Sequence, residues 1–222
     1  MGDVIGEFLP YAVGVAVSPV PIAAVLLMLV TKKARTNGPL FLLGWVAGLT
    51  VVGVIVLLVP GLEPSQGEPS TTSGVVKGIL GVLLLTVGVK AWTNRPVGDD
   101  VAEPPGWMEK IEGFNGPTSL GMGFMLSALN PKNLLLAVGG AATISAAALS
   151  TSEEYATLAV FVFIASLTIL VPVALYLVFG TKGEQAMTNT KDWLIQNNQT
   201  VMSVLLLVLS VSLIGDAIEI LL

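Results

Sequence analysis

The sequence predicts an all-α integral membrane protein of six transmembrane helices, arranged as two inverted three-helix repeats, with helices one and four broken at proline. Three observations lead there. Of 222 residues, 54% are hydrophobic and 11% charged, and the mean hydropathy of +0.85 lies far outside the pattern of soluble domains. Six apolar stretches reach the roughly 20 residues that a helix needs to cross a hydrocarbon core of about 30 Å. Two of the six are interrupted near their middles by proline beside polar residues.

The first stretch, Phe8 to Thr31, carries Ser18-Pro19-Val20-Pro21 at its centre. Asp3 and Glu7 precede it where a cleaved leader carries positive charge, so it reads as a retained helix. Proline removes a backbone donor and clashes with the carbonyl four residues back, so this helix should break and free polar backbone groups that lipid cannot satisfy. Leu40 to Pro60 and Gly74 to Trp92 form the second and third helices, joined by the turn-rich segment Pro60 to Ser73. The polar segment Thr93 to Gly116 then divides the chain into a first repeat over 1–93, a cytoplasmic linker over 94–116 and a second repeat over 117–222.

In the second half, Pro117 to Leu149 is interrupted by Asn130-Pro131-Lys132-Asn133, and Tyr155 to Phe179 and Val201 to Leu222 follow as helices five and six. Laying the first broken helix on the fourth aligns Ser18 with Asn130 and Pro19 with Pro131. With three helices in each half, the second half starts from the opposite face of the membrane, which makes the repeats inverted. Broken helices in such repeats are where secondary transporters build their substrate sites.

Eight of the ten basic residues fall in the odd-numbered connections: Lys32, Lys33 and Arg35; Lys90, Arg95 and Lys110; Lys182 and Lys191. The other side carries Asp3, Glu7, Glu63, Glu68, Glu153 and Glu154. The positive-inside rule therefore expects a multi-pass protein of the inner membrane with both termini outside. The net charge of -5 is spread over short loops and offers no basic face to nucleic acid. The chain has no cysteine and no histidine, which removes thiol redox chemistry, imidazole or thiolate metal sites and histidine-based nucleophilic catalysis. There is no phosphate-cradling loop either, so the expectation is a non-enzymatic protein without cofactor.

Lys132 is the residue that most needs a role. A cation at that depth costs about 2.5–3.5 kcal/mol on insertion scales. Either it points into a central cavity and meets an anionic group or a proton, or it donates to carbonyls freed at the proline breaks. Asn130 and Asn133 add amide groups, Ser18 adds a hydroxyl from the other half, and both residue types also cap broken helix ends. The candidate binding set is thus Ser18, Pro19, Pro21, Asn130, Pro131, Lys132 and Asn133. Asp216 and Glu219 read as a solvated helix end, with a proton or cation site as the alternative, and Lys77 and Glu7 receive no role. The pairs Gly44/Gly48 and Gly74/Gly78, together with Gly121, Gly123, Gly139 and Gly140, read as helix-packing positions.

With these residues laid out, the chain resembles the GAP (peptidoglycolipid-addressing, Sap-like) family of the lysine-exporter superfamily. The resemblance rests on Ser18-Pro19-Val20-Pro21-Ile22, on Lys32-Lys33 followed by Gly38 and Gly44, and above all on Leu129-Asn130-Pro131-Lys132-Asn133. It implies an inner-membrane exporter that moves glycolipids or their precursors toward the cell surface. Val20 stands where amino-acid exporters of the superfamily resemble one another in carrying glycine, which argues against an amino-acid substrate. The leading expectation is a secondary transporter that exports or flips a lipid or glycolipid by alternating access, with possible proton or ion coupling, as a monomer or homodimer. The alternatives are an exporter of a small molecule such as an amino acid or cation, and a non-transporting accessory protein of a lipid-export complex.

Overall fold

A computed structural model describes residues 2–59, 71–97, 102, 106–180 and 184–222. Among these residues the protein is all-helical, with no strand. Eight α-helices follow in order: α1 Gly2–Ala16, α2 Pro19–Leu29, α3 Ala34–Leu57, α4 Thr71–Thr93, α5 Gly116–Phe124, α6 Pro131–Ser145, α7 Thr151–Phe179 and α8 Glu184–Leu221. A 3-10 turn, Met108–Gly113, precedes α5, and a π turn, Met125–Leu129, joins α5 to α6. Residues 60–70 of the first turn-rich loop, Asp99, Asp100 and Glu103 of the linker, and Lys182 lie outside the described residues.

Four helices are long and apolar enough to cross a membrane alone: α3, α4, α7 and the Thr188–Leu221 part of α8. The bent pair α1 and α2 makes a fifth candidate, with 52° between its halves. The expected fourth span does not qualify by length and composition. Its α5 half has nine residues and its α6 half fifteen, and the polar Asn130 to Asn133 lies between the apolar parts.

The breaks also sit differently from the expectation of a helix interrupted by proline. Pro10, Pro39 and Pro172 lie inside α1, α3 and α7 without breaking them. At the two real breaks the residue before proline has left the helix, Ser18 at φ -115°, ψ 94° and Asn130 at φ -66°, ψ 119°. Proline disfavours the helical region for its predecessor and suits the first position of a new helix, so Pro19 and Pro131 start the second halves. Helix α8 is longer than the expected Val201 to Leu222, because the polar residues before Val201 continue the helix. The linker is partly anchored, with Met108 and Ile111 buried in the core.

One hydrophobic cluster joins α1, α2, α3, α6 and α7 and extends to α4 and α8. At its centre Phe8 meets Phe161 edge to face, with ring centroids 5.7 Å apart. Exposed Leu43, Ile55, Val82, Phe163, Val208 and Val211 coat the outside, as a bundle surrounded by lipid requires. Helix α3 lies against α5 so closely that a methyl on Gly44 would strike the Leu120 carbonyl oxygen, and one on Gly123 the Phe41 carbonyl oxygen.

The two ends of the bundle differ in charge. Lys33 donates to the Phe114 carbonyl at 3.4 Å and Asn37 Nδ2 to the same oxygen at 3.2 Å, which gathers the α2–α3 loop and the approach to α5 at one end. Lys32, Lys33 and Glu112 line a cavity there. At the other end Lys77 of α4 pairs with Asp216 of α8 at 3.0 Å.

Candidate functional site

The site forms where the two breaks meet, because α1 packs on α6. Each break frees carbonyls, and a membrane interior demands partners for them. At the α1 end, the Val15 carbonyl accepts from the Ser18 hydroxyl at 2.6 Å, Ala16 from Thr168 Oγ1 of α7 at 2.6 Å, and Val17 from Lys132 Nζ at 2.9 Å. At the α6 end, Asn133 Nδ2 donates to the Leu126 carbonyl at 2.9 Å and Asn130 Oδ1 accepts from the Lys132 backbone at 3.1 Å. The freed groups therefore hold the two halves of the chain to each other.

Ser18 is the hub. Its hydroxyl accepts from Lys132 Nζ at 2.7 Å and lies 2.8 Å from Asn133 Oδ1. It has one proton, which serves either Asn133 or the Val15 carbonyl. Relative exposures of 2% for Ser18, 2% for Lys132 and 0% for Asn133 put all three polar groups in the core. Lys132 makes two of the three hydrogen bonds that an ammonium can donate, and no carboxylate among the described residues lies within ion-pair reach of it.

Of the seven predicted residues, Ser18, Lys132 and Asn133 form one bonded cluster. Asn130 caps α6 instead, half-buried, and its side chain is not bonded into the cluster. Ser18 precedes α2 yet makes no capping bond, because its hydroxyl is committed across the break. Pro19 and Pro21 are buried in the first turn of α2, and Pro131 is exposed at the start of α6. Thr168 completes the set. Nothing in its apolar context in α7 marks it, apart from being a hydroxyl in a membrane-length run.

Lys77 and Glu7, which the sequence gives no role, come together at the acidic end with Asp216 and Glu219, which it reads as a solvated helix end with a proton or cation site as the alternative. Glu7 and Tyr11 of α1, Lys77 of α4, Thr143 of α6, and Asp216 and Glu219 of α8 line a cavity of about 790 Å³. Its spacing signal is absent from the sequence, since four helices contribute. Between it and the Ser18 cluster stand buried apolar side chains: Leu136 and Leu209 close on Gly14, and the Tyr11 ring closes on Gly139. A separate apolar groove of about 420 Å³ runs between α3 and α7 past Val46, Leu158 and Phe163. A second groove of about 380 Å³ continues it through the shared residues Leu42, Val46 and Leu170.

A family model described as Sap, sulfolipid-1-addressing protein, matches residues 8–219. No curated protein and no solved structure matches the chain.

Proposed function

The chain belongs to the Sap, sulfolipid-1-addressing protein, family, and from that premise we propose that it is a secondary transporter that exports or flips a lipid or glycolipid. Its several apolar helices and its family fit a membrane protein involved in lipid export. The proposal adds a carrier mechanism of the lysine-exporter type, without catalysis, in the inner membrane and with both termini outside.

The observation that carries it is Lys132: an amine buried at the meeting point of two broken helices, with no carboxylate in reach among the described residues. An intramembrane lysine costs energy and is retained for pairing or proton traffic. Its open third donor, beside the Ser18 hydroxyl, suits an anionic headgroup held by charge-assisted hydrogen bonds. The acyl chains of such a lipid fit the continuous apolar groove between α3 and α7, outside the polar centre.

Alternating access fits a set of inverted repeats. The α5–α6 pair begins near the basic end, where Phe114 meets Lys33 and Asn37, and Thr143 near its end shares the acidic-end cavity with Lys77 and Asp216. This supports reading the pair as a sixth crossing. Contacts of α1 with α6, of α3 with α7 and of α4 with α8 are those expected of three helices paired with their counterparts.

The test is translocation of a fluorescently tagged sulfated glycolipid by the full chain in proteoliposomes, compared with Lys132→Ala and Lys132→Arg at matched protein content. The expected result is loss of translocation in Lys132→Ala and retention in Lys132→Arg if charge alone is used. Loss in both assigns a proton-release step to the amine. Unchanged translocation in both variants overturns the central-lysine mechanism and favours an accessory role in a lipid-export complex.

A further inference from the structure

Buried polar side-chain atoms nearly always find hydrogen-bond partners, and one left without costs about 1–3 kcal/mol. Three such atoms occur on the facing stripes of α3 and α5: Asn37 Oδ1, Trp45 Nε1 and Ser119 Oγ have no partner among the described residues. Each belongs to a residue of at most 1% exposure. Asn37 and Trp45 are eight residues apart, on one face of α3. Ser119 and Gly123 of α5 and Ser127 of the following π turn come at intervals of four.

The register between the helices turns these atoms into a ladder. The Asn37 amide bonds to the Phe114 carbonyl at the basic end. Two turns higher Gly44 touches the Leu120 backbone, then Gly123 touches the Trp45 backbone, and Gly48 touches Ser127 Oγ. Asn133 of the central cluster bonds to the Leu126 carbonyl at the top of the same stretch. Polar atoms thus climb from the basic end to Ser18, Lys132 and Asn133 in steps of about one or two helical turns. Helix α2 flanks the stripe, with Leu29 seated on Gly38, and it is attached through the Ser18 break.

We infer that Asn37, Ser119 and Trp45 line the basic-end half of the translocation route, where they hydrogen-bond a polar headgroup and its water once α2 swings away. The acceptor, the hydroxyl and the indole donor are each kept without a protein partner because the passing headgroup is the partner. The idea rests on the transporter reading above. Other partnerless atoms give it a contrast. Ser166 Oγ is buried and unbonded too, but it belongs to α7 and lines the apolar groove between α3 and α7.

The chain has no native cysteine, so single cysteines can be read without background. In vesicles presenting the Lys33 end, a charged, membrane-impermeant thiol reagent should modify Ser119→Cys and Asn37→Cys and leave Ser166→Cys unmodified. No modification at Ser119→Cys, or equal modification at Ser166→Cys, overturns the inference. A second arm needs no reactive group: Ser119→Ala removes one buried hydroxyl while keeping an apolar shape of nearly the same size. Translocation of the tagged sulfated glycolipid should fall about two- to tenfold, the value of one neutral hydrogen bond, while thermal stability in detergent holds or rises. Thr157→Val, at a buried and unbonded hydroxyl of α7 that lines neither apolar groove, should show the same stability with unchanged translocation. Full translocation in Ser119→Ala overturns the inference. If Ser119→Cys is labelled and Lys132→Ala still translocates, the access route stands and the central-lysine reading falls. If Lys132→Ala is inactive and Ser119→Cys is silent, the reverse holds.

Discussion

At the scale of single residues, Ser18 decides whether the two halves of the chain stay joined. Among the described residues its hydroxyl is the one side-chain group bonded both to Lys132 and to Asn133, and it also reaches the Val15 carbonyl. Ser18→Ala would leave the Lys132 amine with the Val17 carbonyl alone and remove the one hydroxyl proton that serves Asn133 Oδ1 or the Val15 carbonyl. Leaving a buried polar group unpaired costs about 1–3 kcal/mol, so the variant should unfold earlier in detergent by that amount. Ser18→Thr keeps the hydroxyl and should recover most of the loss; equal melting of Ser18→Ala and the natural chain would mean the cluster is not cohesive. Ser18, Lys132 and Asn133 were legible as a set because polar residues beside proline stand out in apolar runs. Their division of labour was not. That Asn130 caps while Ser18 does not, and that Thr168 satisfies the Ala16 carbonyl, depends on which carbonyls the breaks free and which helix lies opposite.

At the scale of elements, hydropathy located most of the helices. What hydropathy hid was where polar residues stay helical, as in the first half of α8, and which prolines matter. Pro10, Pro39 and Pro172 are absorbed within helices, whereas Pro19 and Pro131 follow residues that have already turned extended. The glycines carry the same lesson. Gly121 and Gly123 are two residues apart in α5 and look alike in sequence, yet a methyl on Gly121 meets open space while one on Gly123 strikes α3 backbone. Gly123→Ala and Gly44→Ala should therefore destabilise the protein by at least the 1–3 kcal/mol typical of overpacking. Gly121→Ala should be neutral or stabilising by up to about 1 kcal/mol, from helix propensity. Thermal unfolding of the three variants in one detergent separates the two outcomes, and similar melting of Gly121→Ala and Gly123→Ala would refute the close α3–α5 contact.

At the scale of the whole molecule, everything turns on whether α5 and α6 cross the membrane together or re-enter from the basic side. Neither α5, with nine residues, nor α6, with fifteen, is long enough to span alone, but the polar residues between them are bonded to protein and need no lipid. A broken helix whose freed groups are satisfied in this way can span, as discontinuous helices do in transporters. If it spans, Thr118 at the start of α5 and Ser152 at the start of α7 stand on opposite sides; if it re-enters, they stand on the same side. Both residues are exposed. An impermeant maleimide added to intact cells should modify Ser152→Cys at once and Thr118→Cys only after the membrane is permeabilised. Simultaneous modification of both would reduce the count to five crossings, break the inverted symmetry and remove the argument that the Ser18 cluster is reached alternately from the two faces. Opposite labelling leaves the apolar closure of Leu136, Leu209 and Tyr11 as a barrier on the outer side. Those side chains then pack between the cluster and the cavity of Lys77 and Asp216, and the proposed export requires them to part.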